Sequence, residues 1–209
     1  MELGIVAVVR TPTFELVQPA CEALIEGGVF AVEVTMTVPD ALKALRQVSE
    51  QFGREALVGA GTILNAEQCR AAIEAGAQYV ISPITKLELV AAAHASDKPV
   101  MLGAYTPTEA QLAHEAGSDF IKVFPADKLG PSYIKSLRAP LPHLRIVPTG
   151  GVDLQTAPDF LKARCGALGV GSSLLTAEIL KQKNWAELTR LAGEYVRIVA
   201  ETKAKLRGN

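Results

Sequence analysis

The sequence is short of the residues that most often announce a chemistry. It has three cysteines, Cys21, Cys69 and Cys165, far apart and odd in number, and no Cys-x-x-Cys pair. Inside helical stretches or at their ends, such cysteines read as reduced, buried small side chains of a cytosolic protein rather than a disulfide framework. Histidine is as scarce: His94, His114 and His143 fall on two helical stretches and a helix-to-strand loop, without metal-ligand spacing. A metal-dependent mechanism has no ligand set here, and no organic cofactor motif appears either. Charge of one sign is missing too. Lys and Arg number 21 against 22 Asp and Glu, for a net charge of −1 and a pI near 6.3. Nothing marks a polyanion partner, so nucleic acid is not expected. No apolar run approaches the roughly 18 residues that cross a bilayer, so neither is a membrane. Met1-Glu2-Leu3-Gly4 leads straight into a strand-like run with no room for a signal peptide, which points to the cytoplasm. Linkers and low-complexity segments are absent as well.

What is present is a 209-residue chain, 49% hydrophobic, with mean hydropathy +0.22, enough for one large core or two small ones. Short apolar runs alternate with amphipathic helical stretches from end to end. The strand candidates are 4–9, 29–34, 56–60, 78–82, 99–102, 119–124, 145–148 and 166–171. Helix starts are marked by capping boxes at Thr106-Pro107-Thr108-Glu109, Thr85-Lys86-Leu87-Glu88 and Asn184-Trp185-Ala186-Glu187. Helix ends are marked by glycine at Gly27-Gly28, Gly76 and Gly117, each followed within a few residues by the next strand. Strands separated by helical patterns of this length imply βαβ units and a parallel sheet. Eight units without a linker predict a single-domain (β/α)8 barrel (a TIM barrel) over residues 1–209. The last helix, from about Trp185 to Leu206, is assigned to closing it. A doubly wound sheet is the alternative, but no G-x-G-x-x-G follows the first strand.

The site of such a barrel lies at the carboxyl ends of its strands. Lys122 sits in Asp119-Phe120-Ile121-Lys122-Val123-Phe124-Pro125, and Glu33 in Val29-Phe30-Ala31-Val32-Glu33-Val34. A charge in an apolar strand is costly unless neutralised, paired or reactive. Burial disfavours the ammonium form, the usual way to make lysine a nucleophile toward carbonyls. The bland alternatives are a lysine snorkelling to water and a glutamate paired to a neighbouring strand. Strands 2 and 6 are both even-numbered and face each other across the barrel, so the two side chains are expected to meet over the core. Strands 7 and 8 end in Thr149-Gly150-Gly151 and Gly169-Val170-Gly171-Ser172-Ser173, where barrels bind phosphate through backbone N–H groups. Simple turn chemistry is the alternative for those glycines. Arg10, at the end of strand 1, is placed to clamp a carboxylate. Thr35 and Thr37 lie beyond Glu33, and Gly59-Ala60-Gly61-Thr62 and Ser82-Pro83 end strands 3 and 4.

Taken in order, Glu33-Val34-Thr35, Gly59-Ala60-Gly61-Thr62, Ile81-Ser82-Pro83, Phe120 to Ala126, Pro148-Thr149-Gly150-Gly151-Val152 and Gly169-Val170-Gly171-Ser172 resemble the 2-keto-3-deoxy-6-phosphogluconate (KDPG) aldolases, which also act on 4-hydroxy-2-oxoglutarate. The resemblance runs over nearly the whole chain. It implies a homotrimeric class I aldolase with Lys122 as the Schiff-base lysine and Glu33 as the proton shuttle. Thr62 and Pro83 would line the pyruvate half, Thr149 would lie near the reacting carbons, and Gly150, Gly151, Gly171, Ser172 and Ser173 would hold the phosphate. Its substrates would be a phosphorylated 2-keto-3-deoxy sugar acid and pyruvate. Some members carry an arginine four residues after the glutamate, at the substrate carboxylate. Thr37 fills that substrate-binding position here, and Arg10 is expected to supply the charge. Two other readings of the same residues stand beside this one: a phosphosugar isomerase or epimerase with Glu33 as base, and a non-catalytic phospholigand-binding barrel.

Overall fold

The computed structural model describes residues 4–207, so the reading of Met1 to Leu3 lies outside the described residues. Within them run strands β1 (Ile5–Val9), β2 (Ala31–Thr35), β3 (Leu57–Gly61), β4 (Val80–Ile81), β5 (Val100–Ala104), β6 (Phe120–Val123), β7 (Ile146–Pro148) and β8 (Leu168–Val170). They form one parallel sheet in the order β7-β6-β5-β4-β3-β2-β1-β8. A single bridge, Thr149 to Gly169, and the bond from the Gly166 N–H to the Ile146 carbonyl join its two edges. The result is a (β/α)8 barrel.

Parallel strands covered on both faces must be apolar on both, which is why β1 reads Ile-Val-Ala-Val-Val without alternation. Outward residues such as Val32, Val34, Val58, Leu102 and Ile121 pack beneath the helices. Inward residues Val6, Ala31, Ile81, Met101, Val147 and Ala167 form a second, smaller cluster inside the ring. The helical layer is α1 (Val17–Glu26), α2 (Ala41–Phe52), α3 (Ala66–Glu74), α4 (Glu88–His94), α5 (Pro107–Glu115), α6 (Gly130–Arg138), α7 (Ala157–Lys162), α8 (Ala177–Gln182) and α9 (Trp185–Arg207). Their fully buried side chains include Leu24, Leu45, Ile134 and Phe160, and truncating any one to alanine costs about 2–5 kcal/mol. Helix α9 packs against α1 and α7 and touches β1, tying the first and last helices of the layer together from outside.

Local signals account for most boundaries. Gly76 and Gly117 turn the chain out of α3 and α5 at φ +103° and +99°, a left-handed conformation in which a side chain would be strained. The Thr106 box is complete: its hydroxyl accepts the Glu109 N–H, and the Glu109 carboxylate accepts the Thr106 N–H at 2.8 Å. Thr85 does not cap. Its hydroxyl donates to the Gly103 carbonyl at 2.7 Å, and the helix starts three residues later, at Glu88. Asn184 makes half a box, accepting the Glu187 N–H, while the Glu187 carboxylate turns to Arg190. The fourth strand is shorter than 78–82. Only Val80 and Ile81 are in the ladder; ahead of them the Gln78 side chain, not the backbone, accepts the Val58 N–H and donates to the Gly53 carbonyl.

Candidate active site

Inward positions along a strand recur every second residue. Ala31 and Phe120 face the ring, so Glu33 and Lys122, two residues further on, face it one layer nearer the carboxyl ends. The two meet: Lys122 Nζ lies 3.5 Å from Glu33 Oε1, with 5% of the lysine and 1% of the glutamate exposed. This is the only ion pair between two buried side chains among the described residues. A pair cut off from water interacts far more strongly than the surface pairs, and removing one partner strands the other. The ammonium also stands 5.3 Å from the centre of the Phe124 ring.

Space for the pair is made by glycine. A Cβ on Gly61 of β3 would overlap the Glu33 carboxylate, so the side chain crosses β3 only because Gly61 has none. The next residue, Thr62, holds φ +61°, a strained left-handed value that costs about 1–3 kcal/mol and that tends to be stored at functional sites. Thr149 lies across Gly169 in the same way.

Above the pair opens a cavity of about 350 Å³. Arg10, Thr62, Pro83, Lys122, Thr149, Gly150, Gly151, Gly171 and Ser172 all line it. Nine expected site residues from six strand ends therefore converge on one space, with Glu33 directly beneath. Gly150 and Gly151 hold φ +90° and +69°, turning the backbone of the β7 loop around the cavity rim. Two expected residues do not line it. Ser173 donates instead to the Val152 carbonyl, and Thr37 is exposed, its hydroxyl 2.9 Å from that of Thr35. Val8, Phe124, Val152 and Leu175 also line the space and were not singled out from the sequence. Val8 and Phe124 were within reach of the period-2 rule, each two residues from a chosen position; Val152 and Leu175 sit in loops, where no periodicity applies.

None of the cysteines lines this cavity. Cys21 and Cys165 are buried, and burial pushes their thiols up to about 12, which keeps them unreactive. No group of three or more metal-ligating side chains exists among the described residues.

Fold and site together define a barrel enzyme with a lysine–carboxylate pair on the floor of a loop-lined cavity. The chain belongs to the KDPG and KHG aldolase family, whose model matches residues 1–191, and is thus a lyase. It is 35% identical over 185 residues to the 2-dehydro-3-deoxy-phosphogluconate aldolase of Pseudomonas aeruginosa, covering 88% of this chain and 83% of the relative. It is 33% identical over 177 residues to the 2-dehydro-3-deoxy-6-phosphogalactonate aldolase of Escherichia coli, covering 84% and 86%. Among solved structures, the KDPG aldolase of Legionella pneumophila, with pyruvate captured as a covalent carbinolamine, superposes with a TM-score of 0.84 at 30% identity over 92% of this chain and 93% of that one.

Proposed function

We propose that the protein is a class I aldolase that cleaves 2-keto-3-deoxy-6-phosphogluconate to pyruvate and D-glyceraldehyde 3-phosphate, and 4-hydroxy-2-oxoglutarate to pyruvate and glyoxylate. The observation that carries the reading is the buried Lys122–Glu33 contact at the base of the cavity. A proton passed from the ammonium to the carboxylate across that contact leaves a neutral amine and a neutral acid, the forms needed to attack a ketone and to expel water from the resulting carbinolamine. Lys122 Nζ forms the bond to C2, and hydroxide departs from C2 as water with the proton that Glu33 returns. The protonated imine then draws electrons from the C3–C4 bond while Glu33, through a water, takes the C4 hydroxyl proton. The aldehyde leaves, the enamine is protonated at C3, and hydrolysis frees pyruvate and the amine. Arg10 at the rim pairs with the substrate carboxylate. The backbone N–H groups of Gly150, Gly151 and Gly171, together with Ser172, hold the phosphate. Thr62, Pro83 and Thr149 shape the pyruvate half and the reacting carbons.

On the same family reading the protein works as a cytoplasmic homotrimer in Entner–Doudoroff-type sugar acid catabolism. The carbinolamine captured in the Legionella structure supports a lysine adduct here. The test is borohydride reduction in the presence of pyruvate followed by peptide mass analysis. The expected product is an N-alkylated Lys122. An unmodified Lys122 in an active enzyme would overturn the mechanism in favour of Glu33 acting alone as a base.

A further inference from the structure

Two neighbouring inward positions of β3 are glycine, Gly59 and Gly61, and the slot they leave is filled from both sides. Glu33 enters it from β2 and lies across Gly61. Tyr79, the residue before β4, enters from the other flank and lies across Gly59, where a Cβ would overlap its ring. Gly59 and Gly61 are two residues apart on one face, so the phenol ring lies one layer beneath the Glu33 side chain. The Tyr79 hydroxyl reaches past β3 and donates to the Val32 carbonyl at 2.8 Å. That carbonyl belongs to the peptide unit whose nitrogen is Glu33's own. Burial, and then the Glu33 carboxylate, raise the Tyr79 phenol well above its ordinary range, so the hydroxyl keeps the proton it donates.

We propose that Tyr79 is a positioning residue for the proton shuttle: its ring is the floor on which the Glu33 side chain rests, and its hydroxyl ties down the peptide plane from which Glu33 springs. The role rests on the reading of Glu33 as the shuttle. The Lys122 contact alone, at 3.5 Å, is long for a hydrogen bond and leaves the carboxylate loosely aimed. Proton transfer is steep in geometry, a misplacement of 1 Å costing about 100-fold. The ring and hydroxyl of Tyr79 approach Glu33 from below, away from the cavity and the substrate, so the effect belongs in turnover and not in binding.

The test uses four intact proteins: wild type, Tyr79→Phe, Glu33→Gln and the double variant. Two rates are read in each, cleavage of KDPG and exchange of pyruvate methyl protons with deuterated water. Phenylalanine keeps the floor and removes only the tether. Tyr79→Phe should lower kcat and the exchange rate about tenfold with KM unchanged, while borohydride trapping with pyruvate still goes to completion. In the Glu33→Gln background, whose residual activity is measurable because a positioned acid–base group supplies about 10²–10⁴-fold, the same change should cost nothing further. Replacing Tyr79 by 4-aminophenylalanine restores a donor and should restore the rate. An unaltered kcat in Tyr79→Phe, or an equal loss in both backgrounds, would overturn the positioning role. Full activity in Glu33→Gln would instead overturn the shuttle reading beneath it. Should Tyr79→Phe fail to fold, 4-methylphenylalanine at position 79, which fills the hydroxyl's space without donating, carries the same comparison: a lowered kcat with unchanged KM supports the tether, and an intact kcat refutes it.

Discussion

Lys122 and Glu33 are each unaffordable alone. A lone ammonium or carboxylate in this ring would carry a desolvation cost of several kcal/mol, and each is tolerable because the other stands 3.5 Å away. Lys122→Met removes the proposed nucleophile and leaves Glu33 buried without its cation. We expect cleavage and borohydride trapping both to vanish, with a fall in thermal stability from the carboxylate left buried without its partner. Glu33→Gln should keep trapping, slowly, and lose about 10²–10⁴ in turnover, read by steady-state kinetics. Arg10→Ala should raise the KM for pyruvate-half ligands while leaving kcat within a few-fold; an unchanged KM would move the carboxylate elsewhere. At this scale much of the site was legible in the sequence, because a charged residue two places from an apolar inward neighbour announces itself. The glycines opposite were less so: Gly59 and Gly61 show nothing of what lies across them until β2 and β4 are placed on either side.

At the scale of the element, caps decide where helices begin, and they bear on acid stability. Glu109's carboxyl is held below the usual carboxylate range by the N–H groups of Tyr105 and Thr106 and by the Thr106 hydroxyl. A carboxyl whose folded value is depressed contributes stability above its unfolded value and loses it as pH falls through the lower folded one. Glu109→Gln should therefore lower the melting temperature at neutral pH and leave it little changed in strong acid, as a pH series of thermal melts would show. Thr106→Ala should cost about 1 kcal/mol through the lost cap. The box at Thr106 was readable because its partners are four residues apart or fewer. Thr85 carries the same signature and does not cap, since a carbonyl 18 residues away in β5 takes its hydroxyl. The start of β4 shows the same competition, in a Gln78 side chain whose partners lie on β3 and the loop before it. Local sequence states what a residue offers, and tertiary neighbours decide which offer is accepted.

For the whole molecule, the alternation of strand and helix determined the barrel, and the arrangement of strand ends followed from it. The cavity joins a lysine at its base to glycine loops at its rim, and on the proposed function phosphorylated and unphosphorylated substrates would engage different shares of it. We expect kcat/KM to be higher for KDPG than for 4-hydroxy-2-oxoglutarate, with the gap closing in a Gly171→Asp variant that sets a carboxylate against the phosphate. Sedimentation should give three times the 22.1 kDa chain mass. The ring itself has a clasp. Seven neighbouring strand pairs share ladders, but β7 and β8 are fastened through Thr149 and Gly169 and one bond below them. Thr149 is thus both a buckle and a wall of the cavity, its backbone closing the hoop while its side chain lies across Gly169. Substituting that side chain will tug on the fastening, and amide exchange along the seam will register the strain before any melting curve does.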